Sequence, residues 1–395
     1  MRSPAVSDVT DMFTTVIRLI KFPYVWLRYG SPIKADETVV LFPQSASVTP
    51  PVDETNSDNA ARRQWTIPVH AWVVEKEDGA LSRLLGRHSL LSLLDLLGVV
   101  SRRTITPVFE NRLSWFMADR EVNKKISVVV GGEKFLSPRS GRSGHIRFSV
   151  PYFGDAPDGS VLKCELTDFA SGATTVHGQV QLVPEKGVSV ISDIDDTIKI
   201  SQVTNKRELV RGLFFDDYHP TPGMPEFYQQ LSLAGACFHY VSASPWQLYP
   251  SLAPFLDKYF PFGCLSQRHF YVGDKSFVRF FRSSVKYKTD TVSSLIERYP
   301  QRKFILIGDS GENDPEVYLD IAGKYQQQVT GIFIREVYDG VELENAQHEE
   351  RWVQIKSKLA SQQRFNVIHD PAELGDLSSW LSHMQQHEIS CNNKV

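Results

Sequence analysis

Val188-Ser189-Val190-Ile191-Ser192-Asp193-Ile194-Asp195-Asp196-Thr197-Ile198-Lys199 decides how the rest of the chain is read. A short β-branched apolar run that stops in acidic residues predicts a buried parallel strand. Its C-terminal end would deliver carboxylates to the crevice where open α/β sheets bind ligands. Two carboxylates one residue apart can divide the work there, with Asp193 attacking an electrophile and Asp195 moving a proton or binding a cation through side chain or backbone. The competing reading is a helix start, in which Asp195 or Thr197 accepts backbone N–H bonds as a cap. The pattern alone does not choose between the two.

Three later segments weigh on the choice. Phe238-His239-Tyr240-Val241-Ser242-Ala243-Ser244-Pro245-Trp246 is a second strand ending in small hydroxyls. Ser242 is expected to contact a phosphate together with helix N-terminal N–H groups, and Ser244, before Pro245, is the better capping candidate. Arg282-Ser283-Ser284-Val285-Lys286-Tyr287-Lys288 leads into a helix, where a lysine just inside the N-terminus opposes the macrodipole. Lys288 therefore calls for a compensating anion, unless it is simply solvated; Lys286 is the alternative. Phe304-Ile305-Leu306-Ile307-Gly308-Asp309-Ser310-Gly311-Glu312-Asn313-Asp314-Pro315 ends a third strand, with Asp309 leaving toward the same crevice and Asp314 at the next helix start, where it also suits an N-cap. Carboxylates gathered at one point repel unless a hard cation neutralises them, and an oxygen-only set suits Mg²⁺.

Around these segments, residues 187–345 read as strand, helix, strand: apolar runs at Val188–Ser192, Cys237–Ser242, Lys303–Gly308 and Val329–Ile334 alternate with helical patterns. The expected fold class is α/β, a doubly wound, Rossmann-like parallel sheet. Upstream, residues 62–186 carry alternating runs at Trp65–Val74, Lys125–Val130, His145–Val150, Leu162–Leu166 and Val176–Val183, which predict a small β-sandwich. A leucine-dense helical insertion interrupts it at about 81–115; it reads as core, with a lipid- or partner-facing surface as the alternative. Residues 1–61 comprise an amphipathic stretch at 8–30, suited to docking on the protein or on a membrane surface, and a Pro/Ser/Thr-rich linker from Ser31 to about Ala61. Residues 346–395 read as closing helices and a tail.

The 395 residues suffice for two or three domains, and the net charge of −3, without a basic stripe, argues against nucleic acid. Four scattered cysteines without a CxxC pair fit a reducing compartment. Asp8 and Asp11 stand where a secretory signal would be basic, and no apolar run reaches the ~20 residues of a membrane span. The expectation is a cytoplasmic protein with peripheral membrane contact through its N-terminal stretch.

Asp-x-Asp-x-Thr at 193–197, Ser242, Lys288 and Gly-Asp-x-x-x-x-Asp at 308–314 resemble, in order and placement, the haloacid dehalogenase (HAD) superfamily of phosphatases. The wording around them is similar to the catalytic domain of the actin-patch-associated, Mg²⁺-dependent phosphatidate phosphatase family. The match covers about Gly187–Gly340, and more loosely the region from Trp65 with Arg112 to Phe116. The resemblance implies that Asp193 forms an aspartyl-phosphate and that Asp195 protonates the leaving alcohol and then activates water. It also implies Mg²⁺ on Asp193, the Asp195 carbonyl, Asp309 and Asp314, with Ser242 and Lys288 binding phosphate oxygens and Thr197 stabilising the turn. The implied substrate is the phospholipid phosphatidate, converted to diacylglycerol. Phe214-Phe215-Asp216-Asp217-Tyr218-His219 and Phe277-Val278-Arg279-Phe280-Phe281-Arg282 are candidates either to meet lipid or to pack on the domain. A phosphatase for soluble phosphomonoesters or phosphoproteins, and a membrane-binding module with a vestigial site, are the alternatives. Protein partners are left unspecified.

Overall fold

The computed structural model describes residues 33–49, 64–76, 106–167, 176–269, 284–337 and 342–375, with 377, 380 and 381. The expected N-terminal amphipathic stretch, residues 81–105 of the leucine-dense insertion and the aromatic–arginine segment 277–282 lie outside the described residues.

The first part comprises β1 (Glu37–Leu41), β2 (Gln44–Val48), β3 (Gln64–Glu75), α1 (Pro107–Met117), β4 (Asp119–Arg120), β5 (Ser127–Val130), β6 (Glu133–Leu136), β7 (His145–Phe153), β8 (Val161–Thr167) and β9 (His177–Leu182). The hydrogen-bonded path runs β1-β3-β2-β9-β8-β5-β6, with β4 and β7 also on β3. Where a sandwich implies separate sheets, this ladder is continuous, because β2 pairs antiparallel with β3 at Ser47–Val48 and parallel with β9 at Gln44–Ala46. One buried cluster draws on both arms: Trp65, Ile67, Val69 and Val73 of β3, Ile146 and Val150 of β7, and Val128, Leu166, Val180 and Leu182 from the other side. The linker expected over 31–61 is corrected by β1 and β2. Small side chains at Ser45 and Ala46, the two buried residues of β2, let the strand pass between its neighbours, so a stretch poor in large apolar residues still forms ladder.

The second part comprises β10 (Val188–Asp193), α2 (Lys206–Phe214), α3 (Met224–Leu233), β11 (Cys237–Pro245), the 3₁₀ turn η1 (Trp246–Leu248), α4 (Tyr249–Tyr259), β12 (Gly263–Arg268), α5 (Val285–Arg298), β13 (Lys303–Asp309), α6 (Asp314–Lys324), β14 (Val329–Arg335), α7 (Glu342–Lys358), β15 (Arg364–Ile368) and η2 (Pro371–Leu374). All six strands are parallel, in the order β12-β11-β10-β13-β14-β15. Every residue of β10 is buried, as a central strand covered on both faces requires. Val190, Phe238, Tyr240, Ile305 and Ile307 pack with α3 and α4 on one face, and Ile191, Val241, Leu306, Ile332 and Ile334 with α5 and α6 on the other. The expected boundary at 345 is also corrected. The tail supplies β15, the sixth strand, and η2 closes with a capping box at Asp370 and Glu373, so the closing segment is not purely helical.

This order makes β10 and β13 neighbours whose connections leave in opposite directions, the switch point at which such sheets open a crevice. Asp193 lies level with Val241, one residue before Ser242, and Ser192 lies level with Ile307, two residues before Asp309. The register alone therefore collects three strand ends at one place.

Candidate active site

Beyond Asp193 the chain does not enter a helix, so the capping reading of Asp195 and Thr197 gives way to a tight loop. Asp196 takes a left-handed conformation (φ 56°), and its carboxylate accepts from the backbone N–H groups of Ser201 (2.7 Å), Gln202 (2.9 Å) and Val203 (2.5 Å). Those three bonds offset the cost of a positive φ at a non-glycine residue. Thr197 Oγ1 donates to Asp193 Oδ2 at 3.3 Å, so Thr197 touches the carboxylate itself as well as belonging to the turn.

Lys288, 2% exposed, reaches three carboxylates: Asp193 Oδ1 (2.8 Å), Glu312 Oε2 (2.9 Å) and Asp314 Oδ1 (2.5 Å). Burial alone would depress the Lys288 ammonium, but Asp193, Asp314, Glu312 and Asp309 hold it well above its usual range. Lys286 pairs with Asp290 at the surface, with 88% of its side chain exposed, so geometry selects Lys288 of the two.

One ammonium does not offset so many carboxylates. Burial raises the Asp193 carboxyl well above its ordinary value, and Asp314, Asp309 and Glu312 add to the shift against Lys288. Asp309 and Asp314 are raised for the same reason, burial first. Gly311 N and Glu312 N donate to Asp309 Oδ1, at 2.7 and 3.0 Å, whereas Asp309 Oδ2 is buried without any hydrogen-bond partner. Asp193, Asp309 and Asp314 each present an oxygen within 4.8 Å of the others. A partnerless buried carboxylate oxygen facing an all-oxygen set is what a hard divalent cation satisfies, so these residues fit one. Gly308 makes room for the arrangement, since a Cβ there would meet Asp314 Oδ2 at 2.5 Å and Tyr318 Cε2 at 2.8 Å.

Asp195 sits in a separate cage. Its Oδ1 contacts Lys199 Nζ at 2.7 Å and accepts from Ser201 Oγ at 2.8 Å, while its Oδ2 accepts from Ser242 Oγ at 3.1 Å and Ser244 Oγ at 2.9 Å. Burial opposes the charge, but Lys199 and the hydroxyl donors prevail and bring the carboxyl down to about 2. Two of these partners depart from expectation. Ser244, read as a helix cap, lies at the end of β11 and donates to Asp195; Ser242 is fully buried, with its hydroxyl also accepting from Ser244 N at 3.0 Å.

The structure thus gathers Asp193, Thr197, Lys288, Asp309 and Asp314 in one buried cluster and Asp195 with Ser242 in a second, both at the C-terminal end of the same parallel sheet. Sequence reasoning missed Lys199, Ser201, Ser244 and Glu312. Their signals were slight: a lysine four residues after Asp195, a second serine two after Ser242, and an acid inside the Gly308–Asp314 turn. Of the two aromatic segments, Phe214 and Phe215 pack on α1, with Phe215 stacked on Phe109 at 4.6 Å and Phe214 5.3 Å from Phe116, which favours the packing reading for them.

Residues 188–336 match the family model described as phosphatidate phosphatase APP1, catalytic domain. The chain is 32% identical over 278 residues to phosphatidate phosphatase APP1 of Saccharomyces cerevisiae, covering 65% of this chain and 45% of that one. It is 30% identical over 167 residues to an uncharacterized protein of Schizosaccharomyces pombe, covering 40% of this chain and 27% of that one. The chain therefore spans less than half the length of these curated relatives. Among solved structures, a 2,6-sialyltransferase from a Photobacterium species aligns at a TM-score of 0.21 and 8% identity over 66% of this chain and 52% of that one, too slight a likeness to bear on the fold.

Proposed function

We propose that this protein, whose residues 188–336 match the family model of the phosphatidate phosphatase APP1 catalytic domain, is a Mg²⁺-dependent phosphatidate phosphatase with a HAD-type site. The observation that carries the proposal is the convergence of Asp193, Asp309 and Asp314 on one point, with Lys288 paired to Asp193 and Asp314 and Asp309 Oδ2 left for a cation. Asp193 is the nucleophile: a carboxylate oxygen forms a bond to phosphorus as the bond from phosphorus to the glycerol oxygen breaks, giving an aspartyl-phosphate and diacylglycerol. Asp195 supplies the proton taken by the departing oxygen, then accepts one from the water that cleaves the acyl-phosphate, releasing inorganic phosphate and restoring Asp193. A phosphate competing for the Ser242 and Ser244 hydroxyls removes two donors from the Asp195 anion and brings negative charge beside it. Both changes raise its affinity for the proton it must deliver.

Lys288 and Ser242 bind phosphate oxygens, and Thr197 holds the Asp193 carboxylate in line. Mg²⁺ would rest on Asp193, Asp309, Asp314 and the Asp195 carbonyl, and when bound it supplies positive charge to offset that developing on the phosphoryl group. No helix among the described residues is long and apolar enough to cross a membrane, so access to a lipid headgroup falls to peripheral contact, with residues 8–30 as the candidate segment.

The test is release of inorganic phosphate from phosphatidate in mixed micelles, compared with several soluble phosphomonoesters, with Mg²⁺ or EDTA, and with Asp193→Asn as control. Phosphatidate preferred, with turnover abolished by EDTA and by Asp193→Asn, is the expected result. Equal rates on the soluble esters would move the substrate to a soluble phosphate, and turnover in EDTA would remove the cation.

A further inference from the structure

Arg112 lies on α1, outside residues 188–336, yet its side chain is spent entirely on the second part of the molecule. The residue is 4% exposed. Nη1 donates to the carbonyls of Gly212 (2.9 Å) and Leu213 (3.0 Å), and Nη2 to that of Asp216 (2.8 Å). The first two are last-turn carbonyls of α2, which have no partner within their own helix. The guanidinium also lies over the ring of Tyr218, 4.0 Å from its centroid, and Lys199 Nζ stands 5.0 Å from the same centroid. Behind Tyr218 the backbone joins the same two segments: Ile200 N donates to His219 O (3.0 Å) and Thr221 N to Ile198 O (2.9 Å). Lys199 in turn holds Asp195 at 2.7 Å and donates to Ser201 Oγ at 2.5 Å. Among the described residues no carboxylate lies within ion-pair distance of Arg112. With Asp216 and Asp217 favouring its charge only from beyond ion-pair distance, a buried guanidinium held by carbonyls and a ring is a costly way to pack two parts together, so its placement asks for more than cohesion.

We infer that Arg112 and Tyr218 are positioning residues for Lys199, and through it for the Asp195 carboxylate, so that the acid–base group of the catalytic part is set by a helix of the preceding part. The inference rests on the phosphatase reading. Arg112 fixes the 212–218 turn, Tyr218 presents its ring to both cations, and the short 198–200/219–221 pairing carries the placement to Lys199. Neither residue touches Asp193, Asp309, Lys288 or Ser242, so their effect is expected on the proton transfer more than on phosphate binding.

The experiment is a double-mutant cycle on the full chain, with Mg²⁺ and phosphatidate in mixed micelles, comparing Arg112→Met, Lys199→Met and the pair, each checked by thermal melting. Arg112→Met is expected to lower kcat about tenfold or more with KM within about twofold, and to cost little further in the Lys199→Met background. Tyr218→Leu should reproduce the loss and Tyr218→Phe, which keeps the ring, should not; this pair substitutes for Arg112→Met if that variant fails to fold. Additive losses, a KM effect as large as the kcat effect, or equal behaviour of Tyr218→Leu and Tyr218→Phe would overturn the inference while leaving the phosphatase reading intact. A wild-type chain that hydrolyses no phosphomonoester would remove both.

Discussion

Asp309 Oδ2 and the Asp195 carboxylate behave as opposites, although both are buried strand-end oxygens. The first lacks a partner and the second contacts four side chains. Asp309→Asn removes repulsion from the metal-free pocket, so in EDTA its melting temperature should exceed that of the wild type. Wild-type protein at neutral pH should gain stability from Mg²⁺, about 2.7 kcal/mol at a hundredfold excess over Kd, and the variant little; equal gains in calorimetry would refute the cation site. The pH dependence has two limbs. Asp193, Asp309 and Asp314 have raised carboxyls, so the folded metal-free state binds their protons more tightly and their contribution to stability grows as pH falls from 7 toward about 4, opposed over the same range by the buried His70, His145 and His239, whose depressed imidazoles resist protonation in the folded state. Asp195 is depressed to about 2, so its contribution is complete above about 4 and is lost as pH falls toward 2. Urea melts in EDTA should therefore show the advantage of Asp309→Asn over the wild type to be largest at pH 7 and to shrink toward pH 4, a difference from which the histidines cancel, and Mg²⁺ should remove it. Asp195→Asn is expected to lower kcat by about 10²–10⁴-fold without loss of fold. Asp193, Lys288, Asp309 and Asp314 were legible as positions because each sits at a strand end or helix start that register aligns. Ser244, Ser201 and Lys199 were not, because their meeting with Asp195 depends on how two loops fold back.

The elements legible in advance were the long apolar strands β10, β11, β13 and β14, where every residue competes for burial. Among the unrecognised ones, which include β4, β6 and β12, the strands β1, β2 and β15 take their stability from neighbours: β2 contributes Ser45 and Ala46 to a ladder built by β3 and β9, and β15 completes an existing edge at β14. Neither could form alone, and propensity does not register that kind of support. The 3₁₀ turn η1 shows the same dependence. Trp246 follows Ser242 and Ser244 directly and is buried with Phe42, Trp72 and Trp115, and its ring meets His145 edge-on at 4.1 Å. Burial, Arg147 and His269 lower the His145 imidazole to about 3 and keep it neutral in this cluster. Trp246→Ala should cost about 3–5 kcal/mol in denaturant melts and loosen the serine pair as well, whereas a loss below about 1 kcal/mol would mean the cluster does not clamp the loop.

At the scale of the molecule, β3 joins the two parts. Trp65, Ile67 and Val69 face the first core, while Trp72 and Val74 face Trp246 across the boundary, so one strand serves two hydrophobic clusters. Residues 184–395 expressed alone would present Trp246, Val210 and Phe215 to water without Trp72, Trp115 and Phe109 to cover them. Such a fragment should aggregate or elute as large oligomers in size-exclusion chromatography, and a soluble, monomeric fragment with full activity would contradict the shared core. The alternation of sheet and helix was legible as a class, but the mutual dependence of the two parts was not, since it rests on aromatic residues far apart in sequence. The position of β15 has a further consequence during synthesis. The edge of β14 stays open from its own emergence at the ribosome until β15 follows about 30 residues later, on the order of two to six seconds. For that interval a nascent chain carries an unpaired parallel edge, which makes β14 the strand on which a holding chaperone has most to protect.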